Sequence, residues 1–497
     1  MKTPARLVIA AAIAVVVYPI ASWYSGKVVE DVIAQQFASL DTLPPGIIEV
    51  VEHKFERRFF SSTQTVTFTL PFISERKLTL RSEISHGPFT SGGFAAAASD
   101  DKLAVESLSP KIVAALGDKA LFESHTVYGF SGGARIAFAS PALDLKPKGP
   151  EDSAHVVWGG LTGIMDVFAS MTSGWKPTRY LYVGNLPKLR LEDEDFLIEL
   201  NGLAFESDQK RVFDDDDLFF AGPQKLSVAG FIAKFNKKEE GKPQPPIDIQ
   251  QVKYDTNTSL NGDFASVVVR SGAETIKVGE NSYGPAHYDI SLNHLHTRTL
   301  AELSNILLKF QLMNFASLDD LSEESEDQAA QAMVALAMTI TQPLFELLEQ
   351  APDISLDRIS FTTPQGEASL SLRATVKDFK AQEAFNPAAW LPKIDASGEI
   401  AAPLALLESL DDAQKMRIED MRAQGYLTEE NGIVKATTEF REGQLTVNGK
   451  AFDTSLSAHH DAEEETGPDT DKAASKAKTG TKGAGRPEIN QRFRSAK

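Results

Sequence analysis

Apolar and polar residues alternate strictly in the stretch SSTQTVTFTL, residues 61–70. Val66, Phe68 and Leu70 fall on one side of the chain, and threonines fall on the other side. Such alternation predicts a β-strand with one apolar and one polar face. The apolar face is expected either to pack in a core or to line a groove for lipid or for an apolar partner segment.

The same period of two continues to about residue 293, and Gly, Pro, Asn and Asp separate the segments as in antiparallel hairpins. The predicted strands are 47–58, 63–72, 76–85, 123–130, 134–139, 179–191, 195–206, 225–235, 249–258, 263–270, 273–280 and 286–293. Loose similarity between segments such as 77–89 and 276–288 indicates a reused β-hairpin unit rather than a repeat of fixed length.

Helical spacing of apolar residues replaces the alternation at 298–317 and 326–350, where Pro343 is expected to kink or split the helix. Strands are predicted again at 354–379, followed by helices at 402–424 and a hairpin at 433–453. The predicted fold class is α+β, predominantly antiparallel β: a long, curved, one-sided sheet of repeated hairpins with packing helices.

The run LVIAAAIAVVVYPIASWYSG, residues 7–26, carries no charge and follows Lys2 and Arg6. About 20 apolar residues are enough to span a bilayer, and preceding positive charge keeps that end in the cytoplasm. We therefore predict a single-pass inner-membrane anchor, with Trp23 and Tyr24 at the membrane interface and the bulk of the chain in the periplasm. The alternative, a cleaved signal peptide, is less favoured because small residues at cleavage spacing are poorly placed near Ala21.

These patterns divide the chain into an N-terminal end, an anchor, a short stalk helix, two folded regions and a tail. The tail has almost no large apolar residue and is predicted to be disordered. The predicted boundaries are 1–6 cytoplasmic, 7–26 anchor, 27–43 stalk helix, 44–297 β-rich region, 298–453 α+β region and 454–497 tail.

Composition narrows the possible partners. The 497 residues carry a net charge of −19, which argues against nucleic-acid binding. The absence of cysteine excludes disulfides, thiolate metal sites and a lipid-modified N-terminal cysteine.

Several short motifs suggest chemistry, but each has a simpler structural interpretation. GFSGG, with Ser131 as a would-be nucleophile, precedes an alternating segment and so predicts a hairpin turn rather than a nucleophile elbow. His294 and His296 share a strand face, with His287 and Asp289 nearby in sequence, yet a metal site needs a further convergent ligand.

Charged motifs give equally open alternatives. The acidic runs 192–195 and 214–217 lack the spacing of a calcium loop and suit solvated turns. Arg57 and Arg58, beside two phenylalanines, suit either an anionic head group or a strand-edge bulge. No phosphate loop is present. The sequence therefore predicts no catalytic, cofactor-binding or metal-binding residue.

Five segments in order carry a resemblance to a known family: PPGIIEVVEHKFERRFFSSTQTVTFTL, EISHGPF, NSYGPAHYDISLNHL, ISLDRISFTTPQGEASLSL and QLTVNGKAF. With the anchor and the step from Tyr24 to Lys27, they resemble the YdgA-like bacterial envelope proteins over about residues 20–453. The resemblance implies an exported, inner-membrane-anchored protein of poorly defined activity, without catalytic residues to carry over. The sheet-rich pattern is also similar to AsmA-like envelope proteins, which are associated with lipid handling.

Three functional hypotheses follow. The first is a non-enzymatic envelope protein whose one-sided sheet binds lipid or an apolar partner segment, with Val66, Phe68 and Leu70 lining the groove. The second is an envelope scaffold whose apolar face is a filled core and whose edges bind other proteins. The third is a serine hydrolase. The first two differ in whether the protein's own helices cover the apolar face.

Overall fold

The computed structural model describes residues 18–34, 48–70, 74–104, 106, 108, 110–146, 154–170, 176–236, 238–239, 242–316 and 323–452. All of these except Phe452 belong to one unit, Met1–Ala451. The second unit, Phe452–Lys497, contains the predicted tail 454–497, which lies outside the described residues.

Strands make up most of the described chain. They are β1 Glu49–Arg57, β2 Ser61–Leu70, β3 Ser74–His86, β4 Phe89–Thr90, β5 Gly93–Phe94, β6 Ala97–Leu103, β7 Glu123–Tyr128, β8 Ala134–Ser140, β9 Leu143–Leu145, β10 His155–Trp158, β11 Leu161–Ser170, β12 Lys176–Glu192, β13 Phe196–Arg211, β14 Phe220–Ala221, β15 Pro223–Phe235, β16 Lys238–Glu239, β17 Lys242–Pro243, β18 Ile247–Asn261, β19 Phe264–Ala273, β20 Thr275–Val278, β21 Asn281–Tyr283, β22 Ala286–His296, β23 Asp353–Thr363, β24 Gly366–Val376, β25 Ile394–Pro403, β26 Thr428–Glu430, β27 Ile433–Arg441, β28 Gln444–Val447 and β29 Lys450–Ala451.

The helices are fewer and most lie in the second half of the chain. They are α1 at residues 18–34, α2 Pro110–Leu116, α3 Thr297–Ala316, α4 Glu323–Glu349, α5 Pro387–Trp390, α6 Leu404–Leu407 and α7 Asp412–Ala423.

The strands pair in chain order as one antiparallel meander. The main order of hydrogen-bonded strands is β1–β2–β3–β6–β7–β8–β11–β12–β13–β15–β18–β19–β22–β23–β24–β25–β27–β28–β29. The result is an open, curved sheet of 25 strands, and the predicted fold class is confirmed. Short hairpins β4–β5 and β16–β17 lie outside this sheet.

Some elements differ from the sequence prediction. Strand β6 was not predicted because Asp100 and Asp101 interrupt its apolar pattern, yet Asp101 accepts hydrogen bonds from Ser99 at 2.6 Å and Ser124 at 2.9 Å. Helix α4 continues through Pro343 without splitting. Pairing of β22 with β23 carries the sheet across the predicted boundary at residue 297.

The two faces of the sheet differ in character. Directly paired residues of antiparallel strands share a face, so register assigns each side chain to one side. The face that contains Thr65 carries cross-strand ion pairs, among them Arg135 with Asp166 at 3.3 Å. Two exposed apolar residues, Ile164 and Val183, also lie on this face. The face of Val66 is the apolar one, and the name "apolar face" below refers to it.

Helix α1 packs on the apolar face at the N-terminal end of the sheet. Val29 and Ile33 of the helix form a buried cluster with Ile84 of β3 and Ala97 of β6. The helix is continuous across the predicted junction of anchor and stalk at residues 26 and 27. This end of the apolar face is therefore a filled core.

A buried histidine marks the closest approach of α1 to the sheet. The His86 side chain is 1% exposed, and a Cβ added at Gly26 would lie 2.4 Å from its ring. Its Nε2 accepts a hydrogen bond from the Ser62 hydroxyl at 2.7 Å when Nδ1 carries the proton toward the Phe59 carbonyl at 3.4 Å. Burial lowers the pKa of His86 below its usual range; the Phe59 carbonyl opposes this shift and the charge of Arg57 adds to it.

We expect the protein to lose stability in mild acid through His86. A folded-state pKa below the unfolded value means that the unfolded chain binds the proton first, so this contribution is complete above about pH 6.5 and is lost as pH falls below that value. Urea unfolding at about pH 7.5 and about pH 5.5 measures the difference, and His86→Gln serves as the comparison. Equal pH dependence of the wild type and His86→Gln would contradict the expectation.

Candidate functional site

One line of directly paired residues follows the apolar face across almost the whole sheet. It starts at Gln64 in β2, two positions from Val66, and ends at Ala436 in β27. In order its members are Gln64, Ser82, Asp101, Ser124, Phe138, Gly163, Gly184, Phe205, Leu226, Tyr254, Ser271, Tyr288, Ile359, Leu370, Ile400 and Ala436.

In the middle of this line, aromatic side chains of the same sheet face cover the glycines. A Cβ added at Gly163 would lie 2.2 Å from the Phe138 ring, and one at Gly184 would lie 2.1 Å from the Phe205 ring. The Tyr182 ring stacks between them, with centroids 5.9 Å from Phe138 and 4.4 Å from Phe205. The glycines thus make room for a ladder of stacked aromatic rings flat on the sheet.

Beyond these rings the line becomes apolar and open. We name its six apolar members from Leu226 to Ile400 the apolar row: Leu226, Tyr254, Tyr288, Ile359, Leu370 and Ile400. Four of them are large and exposed: Leu226 39%, Tyr254 41%, Tyr288 46% and Ile400 48%. The polar member between them, Ser271, donates its hydroxyl proton to the Tyr288 carbonyl at 3.0 Å, so it adds no unpaired hydroxyl.

Neighbouring positions on the same face widen the open region. Phe361, Ile354 and Leu372 lie beside the row and are 46%, 37% and 39% exposed. Single exposed apolar residues are ordinary on a protein surface, but a contiguous set of this kind marks a binding surface.

Helices α3 and α4 could have capped this face, but they do not cover the apolar row. Helix α3 is bound to the loop between β13 and β14, where Arg298 pairs with Asp215 at 3.1 Å and Asn305 donates to Asp216 at 2.8 Å. Helix α4 itself leaves Met333 and Met338 exposed, at 59% and 75%. The exposed fractions along the row show that no described helix covers it.

The three residues predicted to line a groove lie on the same face but nearer to α1. Val66 is buried, 5% exposed, and Phe68 is half-buried. Leu70 ends β2, and its side chain lies outside the described residues. Their role as a groove stays a prediction, while the open part of the face is the apolar row, which runs from β15 to β25.

The predicted membrane-interface residues lie in α1, where Trp23 is 44% exposed and Tyr24 is 63% exposed. Residues 7–17 of the predicted anchor, and the predicted cytoplasmic residues 1–6, lie outside the described residues. Among the helices that the described ranges contain, none combines the length and apolarity needed to cross a membrane.

The short chemical motifs are placed in structural roles. Ser131 lies in the turn between antiparallel β7 and β8, closed by the amide of Gly132 donating to the Gly129 carbonyl at 3.1 Å. His294 stacks on Phe264, with ring centroids 3.9 Å apart, and its Nδ1 lies 2.8 Å from the Gln350 carbonyl oxygen. No group of three potential metal ligands gathers within the described ranges.

The acidic and basic motifs also engage neighbouring side chains. Asp217 pairs with Arg211, while Asp215 and Asp216 hold α3 as described above. Arg57 pairs with Glu30 of α1 at 3.0 Å and lies over the Trp23 ring, 5.4 Å from its centroid. These charges therefore fix α1 and α3 against the sheet.

Sequence reasoning missed the apolar row because its members come from separate strands. Each strand shows the alternation, for example Leu226 and Val228 in β15, but the row exists only through register. Bulges shift that register between Ala265 and Val267 in β19 and near Asp357 in β23. No local signal gives these shifts.

Comparison with known proteins places the chain in a family. A family model described as "Bacterial protein of unknown function (DUF945)" matches residues 1–455. The chain belongs to this family. This agrees with the expected bacterial family of poorly defined activity, and the YdgA-like name stays an expectation. No curated protein and no solved structure matches the DUF945 chain, and the likeness to AsmA-like proteins is therefore not shown.

Proposed function

We propose that the protein is a non-enzymatic envelope protein, anchored in the bacterial inner membrane, that binds lipid acyl chains along the apolar row. The observation that carries the proposal is the line of half-exposed apolar side chains from Leu226 to Ile400 on one sheet face. Burying such side chains against hydrocarbon is favourable by about 25 cal/mol per Å² of apolar surface.

The length of the row suits an acyl chain. From β15 to β25 it crosses six strand intervals, which is about 29 Å at a spacing of about 4.8 Å. A bilayer core of about 30 Å contains two opposed leaflets, so one acyl chain extends about 15 Å. The row is therefore long enough for a whole acyl chain.

A hydrolase is not proposed. An exposed serine becomes a nucleophile only with a base and an oxyanion site arranged around it, usually on a strand–turn–helix. Ser131 is followed by strand β8, Ala134–Ser140, rather than by a helix. The scaffold hypothesis is favoured only by the filled end of the face under α1, and the experiment below separates it from lipid binding.

The proposed location requires that the folded region be exported. Lys2 and Arg6 before an uncharged run predict a cytoplasmic N-terminus. A reporter that is active only in the cytoplasm, fused after residue 60, should give no signal. An active reporter would reverse the proposed orientation.

Lipid capture at a defined position tests the proposed function. We expect a photoreactive phenylalanine in place of Tyr288, 46% exposed on the apolar row, to form lipid adducts in living cells that mass spectrometry detects. The matched control is the same probe at Phe168, an aromatic residue that is 42% exposed on the opposite face. Protein adducts at Tyr288 without lipid adducts would favour the scaffold instead.

A further inference from the structure

A second apolar surface lies at the N-terminal end of the sheet and is made almost entirely of aromatic rings. We name it the ring patch and define it by Tyr18, Phe59, Phe60, Phe89, Phe94 and Phe130. These residues come from the first described turn of α1, the β1–β2 turn, the β4–β5 hairpin and the β7–β8 turn. Four separate elements thus bring rings to one place.

The rings touch one another in an unbroken series. Tyr18 stacks with Phe60 at 5.9 Å and with Phe89 at 6.1 Å between ring centroids. Phe59 contacts Phe60 at 4.9 Å, Phe89 contacts Phe94 at 5.7 Å, and the contact of Phe94 with Phe130 at 5.1 Å completes the series.

These rings are too exposed to be a core. Phe59 and Phe60 are each 49% exposed, Phe89 66%, Phe94 72% and Phe130 50%. A cluster of five half-exposed phenylalanines on tight turns adds little to folding and costs free energy in water. Turns in water normally carry polar residues, so the phenylalanines at these tips point to an apolar neighbour.

The chain that leads out of the patch identifies this neighbour. Tyr18 is the first described residue, and the residues before it, 7–17, read LVIAAAIAVVV without a single charge. On the next turns of α1, Ile20 and Tyr24 are both 63% exposed. Arg58, next to Phe59 in the β1–β2 turn, and Lys27 of α1 are exposed cations that suit phosphate head groups.

An apolar cavity adjoins the patch. It has a volume of about 190 Å³ and lies between α1 and the β7–β8 turn, with Val28, Val32, Tyr128 and Phe130 in its lining. The space is large enough for several methylene groups at the edge of the patch.

We propose that the ring patch docks on the surface of the bilayer from which the chain emerges. The phenylalanine tips insert at the level of the head groups, as interfacial aromatic residues do, and fix the sheet against the membrane. The anchor alone would only tether the domain, whereas the patch orients it. Docking rests on the membrane anchoring in the proposed function, but it needs no lipid on the apolar row, so it can fail or hold independently of lipid binding there.

Spin labelling of the full-length chain tests this docking directly. The protein has no cysteine, so a single introduced cysteine carries the only label. We use Phe94→Cys and Phe130→Cys, with Phe385→Cys as the control because Phe385 is an 85% exposed aromatic residue outside the patch. Each variant is reconstituted in vesicles of phosphatidylethanolamine and phosphatidylglycerol, and circular dichroism checks that it is folded.

Docking predicts that labels at Phe94 and Phe130 collide several-fold more often with oxygen, relative to a water-soluble nickel chelate, than the label at Phe385. Oxygen concentrates in the bilayer and the chelate stays in water, so this ratio reports depth. Equal ratios at all three positions would overturn the proposal. Loss of both collision rates at Phe94 and Phe130 would indicate that a second copy of the chain covers the patch and would overturn it as well.

Discussion

The double variant Leu226→Asp with Tyr288→Asp is expected to remain folded and to lose nearly all of its lipid. Both side chains are about half exposed, so their carboxylates stay hydrated in the empty protein and the free energy of unfolding falls by only about 1–2 kcal/mol. A bound acyl chain would have to desolvate both carboxylates. A loss of about 3 kcal/mol of affinity, roughly a hundredfold, is expected.

The matched control moves the same two charges to the other face. Ser227→Asp with Thr437→Asp places them on exposed positions of β15 and β27, and Ser227 is the direct neighbour of Leu226. Lipid adducts at a photoreactive probe in place of Tyr254 measure retention in both variants, and urea unfolding measures stability. An unchanged adduct yield in Leu226→Asp with Tyr288→Asp, with both double variants folded, would show that lipid does not bind along the apolar row.

Gly26→Ala is expected to destabilise the protein by about 1–3 kcal/mol, although alanine normally stabilises a helix relative to glycine by about 1 kcal/mol. The added Cβ would lie 2.4 Å from Cε1 and 2.5 Å from Nδ1 of the His86 ring. The ring is buried and bonded to Ser62, so either the ring or α1 must move. Urea unfolding of the full chain in nanodiscs measures the loss.

A double-mutant cycle identifies the cause. In a His86→Ala background the clash is absent, and Gly26→Ala should then be neutral or stabilising by up to about 1 kcal/mol. Lys27→Ala is the matched control on the adjacent exposed position of the helix and should change stability by less than about 0.5 kcal/mol. The same loss from Gly26→Ala in both backgrounds would show that His86 is not the obstacle.

The apolar face has a covered part, which Gly26→Ala perturbs, and an open part, which Leu226→Asp with Tyr288→Asp perturbs. Helix α1 fills the apolar face over β3 and β6, where Ile84 is 2% exposed. The stacked rings of Phe138, Tyr182 and Phe205 follow, and the open row begins at Leu226. Only the open part is free to bind a ligand without displacing an element of the fold.

Much of the secondary structure was predictable because alternation is a local property. Strands such as β12 and β18 have the expected bounds to within three residues, and α3 was placed to within one residue. The exceptions contain polar or small residues within strands. Strand β11 was not predicted because Gly163 and Asp166 interrupt its apolar pattern. In the structure Gly163 lies under the Phe138 ring and Asp166 pairs with Arg135 of the neighbouring strand β8. These two residues are accommodated in a strand by contacts with residues that are distant in sequence.

The sequence by itself determined that most strands have a more apolar and a more polar side, because side-chain direction alternates with the backbone period of a strand. It also determined the uncharged N-terminal run. Only the tertiary structure decided which part of the apolar face is open. Strand register aligns Leu226, Tyr254 and Tyr288 into one row, and the docking of Gly26 against His86 places α1 over Ile84 rather than over that row. These arrangements rest on contacts between residues far apart in the chain, which no local pattern contains.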